Sequence, residues 1–301
     1  MSKSPEQLRV LVLGANGRLG RALTRIYAPR HEVIGWTRQQ LNLTKTSAIP
    51  DLLRKAEFDL LINAAGLTSV DQCETDTEIA RLTNLEAPHL MAKACAERGA
   101  RFIHVSTDYV FAGDGDDDHL LTEDDTPAPL NEYGRTKLAG EQAVLAACPS
   151  ALVARVSWLF GPDKKSFPDT VIEDALCKPV VLAVNDKWSC PTYSDDLAQW
   201  IETLFVQHPE TSGIIHLCNT GHASWQEYGE RALEIAEELG LPLQAKKVTG
   251  HSMHGFEKFK AIRPPFTAMS TARFTAITGV TPRHWEDAIR QHLVRQFGPP
   301  D

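Results

Sequence analysis

The 301-residue sequence predicts an α/β protein: a doubly wound parallel sheet with helices on both faces, and a smaller C-terminal α/β lobe. Three observations carry that expectation. An apolar run, Leu8 to Leu13, ends directly in a glycine-rich turn that opens a helix. Short Val-, Leu- and Ile-rich runs then alternate with longer helical patterns as far as Ser157. From Trp158 onward the segments shorten and gain proline, with no linker between the two styles. Residues 1–157 are thus expected to build the sheet and 158–301 mainly the lobe, with about 190–220 returning to the sheet.

After a polar tail, the first strand passes into Gly14-Ala15-Asn16-Gly17-Arg18-Leu19-Gly20 and a helix running to about Tyr27. Such glycines let the backbone turn tightly and approach a pyrophosphate, and the helix start offers free N–H groups and a positive dipole end. An ordinary glycine-rich βα turn reads similarly, but its place at the N-terminal strand favours a Rossmann-like dinucleotide site. A second strand, His31 to Trp36, leads into Thr37-Arg38 with no acid. A carboxylate there would grip the ribose 2′-OH of NAD, whereas an arginine suits the 2′-phosphate of NADP. NADPH is therefore the expected cofactor, with NADH possible. Arg18 could join Arg38 in that task, or both are solvated surface charges. Asn42 and Leu43 follow in a loop where an adenine could lie.

The third strand, Asp59 to Asn63, ends in Ala64-Ala65-Gly66, small residues that let a flat ligand rest close to the backbone. A helix from about Glu78 to Arg98 carries Asn84 near its middle, as an inward-turned polar residue or a cofactor contact. The fourth strand, Arg101 to Val105, delivers Ser106-Thr107-Asp108-Tyr109-Val110-Phe111 to the carboxyl edge of the sheet, where hydroxyls can bond a carbonyl oxygen. The acidic stretch Asp114 to His119 lacks the glycine and glutamate of a calcium loop and reads as solvated. His251 and His254 have no third partner at a recognisable spacing, so no metal is expected.

Pro129 to Glu141 reads as the start of a helix with Asn131 as N-cap, placing Tyr133 and Lys137 one turn apart on one face. A free tyrosine loses its proton near pH 10. Lowering that to neutrality needs about 4 kcal/mol of preferential anion stabilisation, part of which a neighbouring cation can supply. The pair alone also fits a half-buried ring beside a solvated charge. A fifth strand, Ala151 to Ser157, precedes the change of style at Trp158. Beyond it the sequence predicts strands at Val180–Val184 and Gly213–Cys218, and helices at Asp195–Phe205 and Trp225–Leu239.

Composition excludes several classes. A net charge of −8 with 43% hydrophobic residues suits a soluble globular protein and argues against a nucleic-acid binder, which needs clustered Lys and Arg. No apolar run is long enough to span a bilayer and no signal-peptide core is visible, so no membrane partner and a cytoplasmic address are expected. The cysteines are scattered without a C-x-x-C pair, as reduced thiols are.

Taken together, Gly14 to Gly20, Asn63-Ala64-Ala65 and Tyr133 with Lys137 resemble the extended short-chain dehydrogenase/reductase superfamily. Within it the chain resembles the dTDP-4-dehydrorhamnose reductase family. That narrower likeness rests on Ser106 to Phe111, Pro129-Leu130-Asn131, Ser157 to Gly161, Cys190-Pro191-Thr192 and Ser224 to Glu227. The resemblance implies Thr107, Tyr133 and Lys137 as the catalytic set, and Thr68, Val70, Asp108, Tyr109 and Trp158 as the lining of a sugar-nucleotide pocket. It implies reduction of a 4-keto sugar nucleotide. Alternatives are a reductase of another 4-keto-6-deoxy sugar nucleotide, and a non-catalytic regulatory subunit that keeps the cofactor fold. Retention of all three catalytic residues favours an enzyme, since a sensor needs no proton donor. A homodimer is possible. The sequence departs from the family pattern at Gln72, often Lys, and at Arg263 to Ser270, where Phe266 replaces an amide and Ser270 an acid. If those positions shape the pocket, the accepted nucleotide or sugar differs from the usual one.

Overall fold

The first strand, β1 (Arg9–Leu13), is apolar without alternation because both its faces are covered. Val10 and Val12 join one core and Leu11 and Leu13 the opposite one. The computed structural model describes residues 7–116, 118–255 and 259–298; the polar N-terminal tail and Asp117 of the acidic stretch lie outside the described residues.

From β1 the chain continues through α1 (Arg18–Tyr27), β2 (Glu32–Trp36), α2 (Ile49–Lys55), β3 (Leu60–Asn63), α3 (Val70–Thr75), α4 (Thr77–Arg81), α5 (Ala87–Arg98), β4 (Arg101–Thr107), α6 (Glu132–Ala147) and β5 (Leu152–Val156). The remainder is β6 (Leu159–Phe160), α7 (Phe167–Cys177), β7 (Val181–Val184), β8 (Trp188–Ser189), β9 (Thr192–Tyr193), α8 (Ser194–Gln207), β10 (Gly213–His216), β11 (Ala223–Ser224), α9 (Trp225–Glu238), β12 (Val248–His251), α10 (Ala272–Thr278) and α11 (Trp285–Phe297).

Six strands form one parallel sheet in the order β10-β5-β4-β3-β1-β2. The chain steps from β1 to β2 on one side and returns to β3 on the other, so the carboxyl ends of β1 and β3 flank a crevice where ligands of open α/β sheets bind. One face is packed by α1, α8 and Phe274 of α10; the other by α2, α5 and α6. Helix α8 and strand β10 belong to this sheet layer, although they follow the first segments of the lobe. The lobe has its own core, where Val171 and Ile172 of α7, Tyr228 and Ile235 of α9 and Ile289 and Leu293 of α11 meet.

The helix expected over Glu78–Arg98 is interrupted: α4 and α5 are joined by a π turn, Leu82–Glu86, at Asn84. A Cβ on Gly140 would lie 2.1 Å from the Asn84 carbonyl oxygen, so α6 packs directly on this widened turn. Among the described residues, no helix is long and apolar enough to cross a membrane.

Candidate active site

The glycine turn is built by close approach. Gly14 has φ +76°, in the region that favours glycine. A Cβ there would sit 3.0 Å from the Ala64 oxygen, and one on Gly20 would sit 2.1 Å from the Gly14 oxygen. Gly17 is the N-cap of helix α1 and offers no side-chain cap, and the first turn holds no acid, which leaves the leading N–H groups for an anion. These residues border a cavity of about 820 Å³, within the usual range for a small-molecule site. A smaller hollow of about 230 Å³ is lined by Gly14, Asn16, Gly17, Thr37, Arg38 and Gln39. Ser106 Oγ is buried on the cavity wall without a hydrogen-bond partner. The uncapped helix, the glycine cradle and this free hydroxyl fit a dinucleotide.

Helix α6 is aimed by its N-cap. Asn131 Oδ1 accepts the Gly134 N–H at 2.8 Å, while Asn131 Nδ2 donates to the Ile262 carbonyl at 2.7 Å. Tyr133 and Lys137 consequently both line the cavity, with Thr107 from the end of β4. Burial raises the Tyr133 phenol above its ordinary value, Asp108 and Cys73 add to the rise, and the Thr107 hydroxyl offsets part of it. The edge of the Tyr109 ring packs on Tyr133 with centroids 5.7 Å apart. Lys137 Nζ donates to the Val105 carbonyl at 2.7 Å and lies 3.3 Å from His104 Nε2. Burial brings Lys137 down to about 8, against the opposing pull of Glu141 and Cys73. The cation expected to lower the phenol is thus bonded to β4, and burial decides the state of Tyr133.

Asp108 is a buried brace. Its carboxylate accepts from Thr107 Oγ1 at 3.1 Å, Ser157 Oγ at 2.9 Å and Thr267 Oγ1 at 2.7 Å. Beside it Lys187, also buried, donates to Ser189 Oγ at 3.1 Å and lies 4.9 Å from the Tyr109 ring centroid. Trp158, with φ +39°, is the one non-glycine at positive φ among the described residues, a strain of about 1–3 kcal/mol. It is held by stacking on Trp225 at 5.3 Å and by the edge of Tyr228 at 4.8 Å. Asp71 of α3 clamps the lobe, accepting from Arg263 at 2.8 and 2.7 Å and from the Lys260 and Ala261 N–H groups at 2.8 and 2.9 Å. Those bonds, the Arg263 guanidinium first, hold its carboxyl down to about 2.

Of the residues expected from the sequence, Gly14, Gly17, Arg18, Leu19, Arg38, Asn42, Leu43, Ala64, Ala65, Gly66, Thr68, Val70, Asn84, Thr107, Asp108, Tyr109, Tyr133, Lys137 and Trp158 line the main cavity. Asn16 lines the smaller hollow, and Gly20 is packed behind it on Gly14. Several of these side chains are already occupied. Arg18 donates to the carbonyls of Leu159 at 2.7 Å and Lys165 at 2.6 Å, tying the glycine turn to the lobe, so its polar contacts lie with that loop and not with Arg38. Both ends of the Asn84 amide bond the Leu67 backbone, at 2.9 and 3.0 Å. Asn42 Oδ1 closes a turn on Thr44.

Of the departures, Gln72 lines the cavity, whereas Phe266 is 7% exposed in a core with Val110 and Met269 and is not on the wall. Ser106, expected only as one of the hydroxyls at the sheet's carboxyl edge, is on the wall, as is Leu159 of the Ser157 to Gly161 stretch. Sequence reasoning missed Thr83 and Lys164 on the wall, and His104 and Lys187 behind it. Of these only His104 carried a signal, as a polar residue inside an otherwise apolar strand. Asp116 Oδ1 in the acidic stretch accepts from its own loop, the N–H groups of Asp118 and His119. Among the described residues, no cluster of His, Cys, Asp and Glu is placed to hold a metal.

Residues 8–297 match the family described as RmlD substrate binding domain. The dTDP-4-dehydrorhamnose reductase of Mycolicibacterium smegmatis is 36% identical, over 96% of this chain and 86% of that protein. A probable dTDP-4,6-dihydroxy-2-methyloxan-3-one 4-ketoreductase of Streptomyces antibioticus is also 36% identical, over 94% of each. Among solved structures, the dTDP-4-dehydrorhamnose reductase of Bacillus anthracis, in complex with NADP, matches with a TM-score of 0.88 and 28% identity over 96% of this chain and 99% of that one. With the family match running almost end to end and the glycine cradle and the tyrosine–lysine pair sharing one cavity, the chain belongs to the RmlD family of dTDP-4-dehydrorhamnose reductases.

Proposed function

We propose that this protein is an NADPH-dependent reductase that converts dTDP-4-dehydro-β-L-rhamnose to dTDP-β-L-rhamnose. The observation that carries the reading is the placement of Tyr133, Thr107 and Lys137 on the wall of the same cavity as the glycine cradle. A reduced nicotinamide, when bound, supplies hydride to the ketone carbon. Tyr133 delivers a proton to the ketone oxygen as negative charge develops there. Its burial suits that task, because the phenol keeps its proton at neutral pH until the oxygen draws it. Thr107, whose single hydroxyl proton goes to Asp108 in the free protein, turns that proton to the same oxygen when the ketone binds. Lys137 holds the nicotinamide ribose. The leading N–H groups of α1 receive the pyrophosphate, and Arg38 lies where a 2′-phosphate would be recognised. Thr68, Val70, Tyr109 and Trp158 face the sugar nucleotide from the other half of the cavity. Proton donation by a placed group is worth about 10²- to 10⁴-fold in rate.

The test is NADPH oxidation with dTDP-4-dehydro-β-L-rhamnose beside a UDP-linked ketone and a ketone of different ring configuration, with NMR of each product. Turnover of the first to the rhamno product is expected. No oxidation with it, alongside clear turnover of another ketone, would move the assignment to that sugar nucleotide.

A further inference from the structure

Behind the wall formed by Asp108 and Tyr109 lies a second buried lysine, Lys187, on the loop between β7 and β8. Its donors can be counted. Lys187 Nζ lies 3.1 Å from Ser189 Oγ and 3.4 Å from Thr267 Oγ1, and it sits over the Tyr109 ring, 4.9 Å from the centroid. Three acceptors match the three N–H donors of an ammonium, whereas an amine has two. The hydroxyls beyond it are oriented by their protons. Thr267 has one, and the Asp108 carboxylate at 2.7 Å takes it in preference to the Trp188 carbonyl at 3.4 Å. Ser189, 3.0 Å from Thr267, then donates to it and accepts from Lys187. Every bond from Lys187 through Ser189 and Thr267 to Asp108 thus points from the cation to the anion. Ser157 and Thr107 also spend their single protons on Asp108, at 2.9 and 3.1 Å, so both of its oxygens accept.

We propose that Lys187 is a positioning residue: a buried ammonium that balances the Asp108 carboxylate through two hydroxyls and so holds the wall that carries Thr107 and Tyr109. A buried carboxylate without a counter-charge tends to take up a proton. A protonated carboxyl would set its O–H against one of the hydroxyls that now donate to it. Burial draws Lys187 down to about 8 against the pull of Asp108, with Arg263 adding to the fall, so the ammonium prevails at neutral pH. The other titratable groups facing the pair are Tyr109 and Tyr133, which burial keeps protonated, and Cys218, which its bond with Cys190 and burial keep protonated. The charge of Arg263 is spent on Asp71 at 2.7 Å, which leaves Lys187 to balance Asp108. The consequence rests on the reductase reading above: when Thr107 turns its proton to the ketone oxygen, Asp108 loses one of three donors. The ammonium keeps it a carboxylate, to which that hydroxyl returns after product release.

The test uses the free, full-length protein and reads protonation without turnover, so its failure is distinguishable from failure of the substrate assignment. In the wild type at neutral pH, the Lys187 ¹⁵Nζ resonance should be that of an ammonium and the Asp108 ¹³Cγ resonance that of a carboxylate. A neutral amine or a protonated carboxyl would overturn the proposal, and neither reading depends on a variant folding. Two variants then separate charge from hydrogen bonding. Lys187→Met removes both, whereas Lys187→Gln keeps an N–H donor for Ser189 without the charge. Each should raise the titration midpoint of Asp108 by about 1–3 pH units, the effect of removing a nearby opposite charge. An unchanged midpoint in both would refute the role. A rise in Lys187→Met alone would assign the effect to the lost hydrogen bond and refute the counter-charge.

Discussion

The two halves of the cavity are built by different means. The half proposed for the cofactor consists of contiguous stretches whose geometry is set by backbone: the turn Gly14 to Gly20, the loop after β2, and Ala64 to Gly66. The half proposed for the substrate is held by side chains that meet across great sequence distances. Asp108 and Thr267 are 159 residues apart, and Asp71 and Arg263 are 192 apart. A backbone cradle needs only small residues in the right order, and a strand and helix supply the rest. A side-chain brace exists only after the whole chain has folded. The contrast implies that local changes should damage cofactor binding, while changes at the braces should act on the sugar nucleotide.

The largest effect is expected where the halves meet. Tyr133→Phe should lower kcat at least about 10²-fold, as for loss of a general acid, while NADPH binding followed by fluorescence stays close to wild type. Near-normal turnover would remove Tyr133 from the chemistry.

The next effect concerns the edge of the sheet, where the chain returns from the lobe. His216 on β10 is fully buried, and burial with the neighbouring Arg155 pushes it down to about 3. The unfolded chain binds the histidine proton near pH 6.5 and the folded chain does not, so stability should fall as pH drops from there towards 3. The slope is up to about 1.4 kcal/mol per pH unit for this one group. Urea midpoints across that range check it. His216→Leu should flatten the dependence, and an unchanged slope would locate the acid sensitivity elsewhere.

A smaller effect is expected at the clamp. Asp71→Asn weakens the hold of α3 on the lobe and should raise the KM for the sugar nucleotide by roughly tenfold, with kcat and NADPH affinity little changed, since about one charged hydrogen bond is lost. The stabilisation that Asp71 contributes is present above the unfolded carboxyl value near 4. It is lost as pH falls through about 2. An equal loss of NADPH affinity in this variant would break the division between the halves.

The smallest effect concerns cofactor choice. Arg38→Ala should reduce the NADPH-to-NADH ratio of kcat/KM by several-fold and leave the sugar KM unchanged. A constant ratio would show that Arg38 does not meet the phosphate.

This division also explains what could be read from the sequence. The apolar run of β1 and the glycines that follow it announce a strand, a turn and a helix within 20 residues of one another. The Tyr133–Lys137 spacing fixes one helix face, and Asn131 caps that helix as its residue type suggests. The π turn at Leu82–Glu86 was illegible because it occupies a single turn, too short a stretch for a change of hydrophobic period to show. Strands β6, β8, β9 and β11 have two residues each, too few for any periodicity. Helices α7 and α11 were missed in a region read mainly by its short segments and prolines. Thr267 and Ser157 could not be connected to Asp108 in advance, nor Lys187 to Thr267, since only the fold brings these separate segments together.

Deuterium transfer tests the central claim most directly, that the two halves join hydride delivery to proton donation at one ketone. NADPH carrying deuterium at both positions of the nicotinamide C4 is incubated with the enzyme and dTDP-4-dehydro-β-L-rhamnose, and the product is read by NMR. Deuterium at C4 of the sugar in dTDP-β-L-rhamnose is the result this account predicts. Product without deuterium at that carbon, or no oxidation of the cofactor at all, would contradict it.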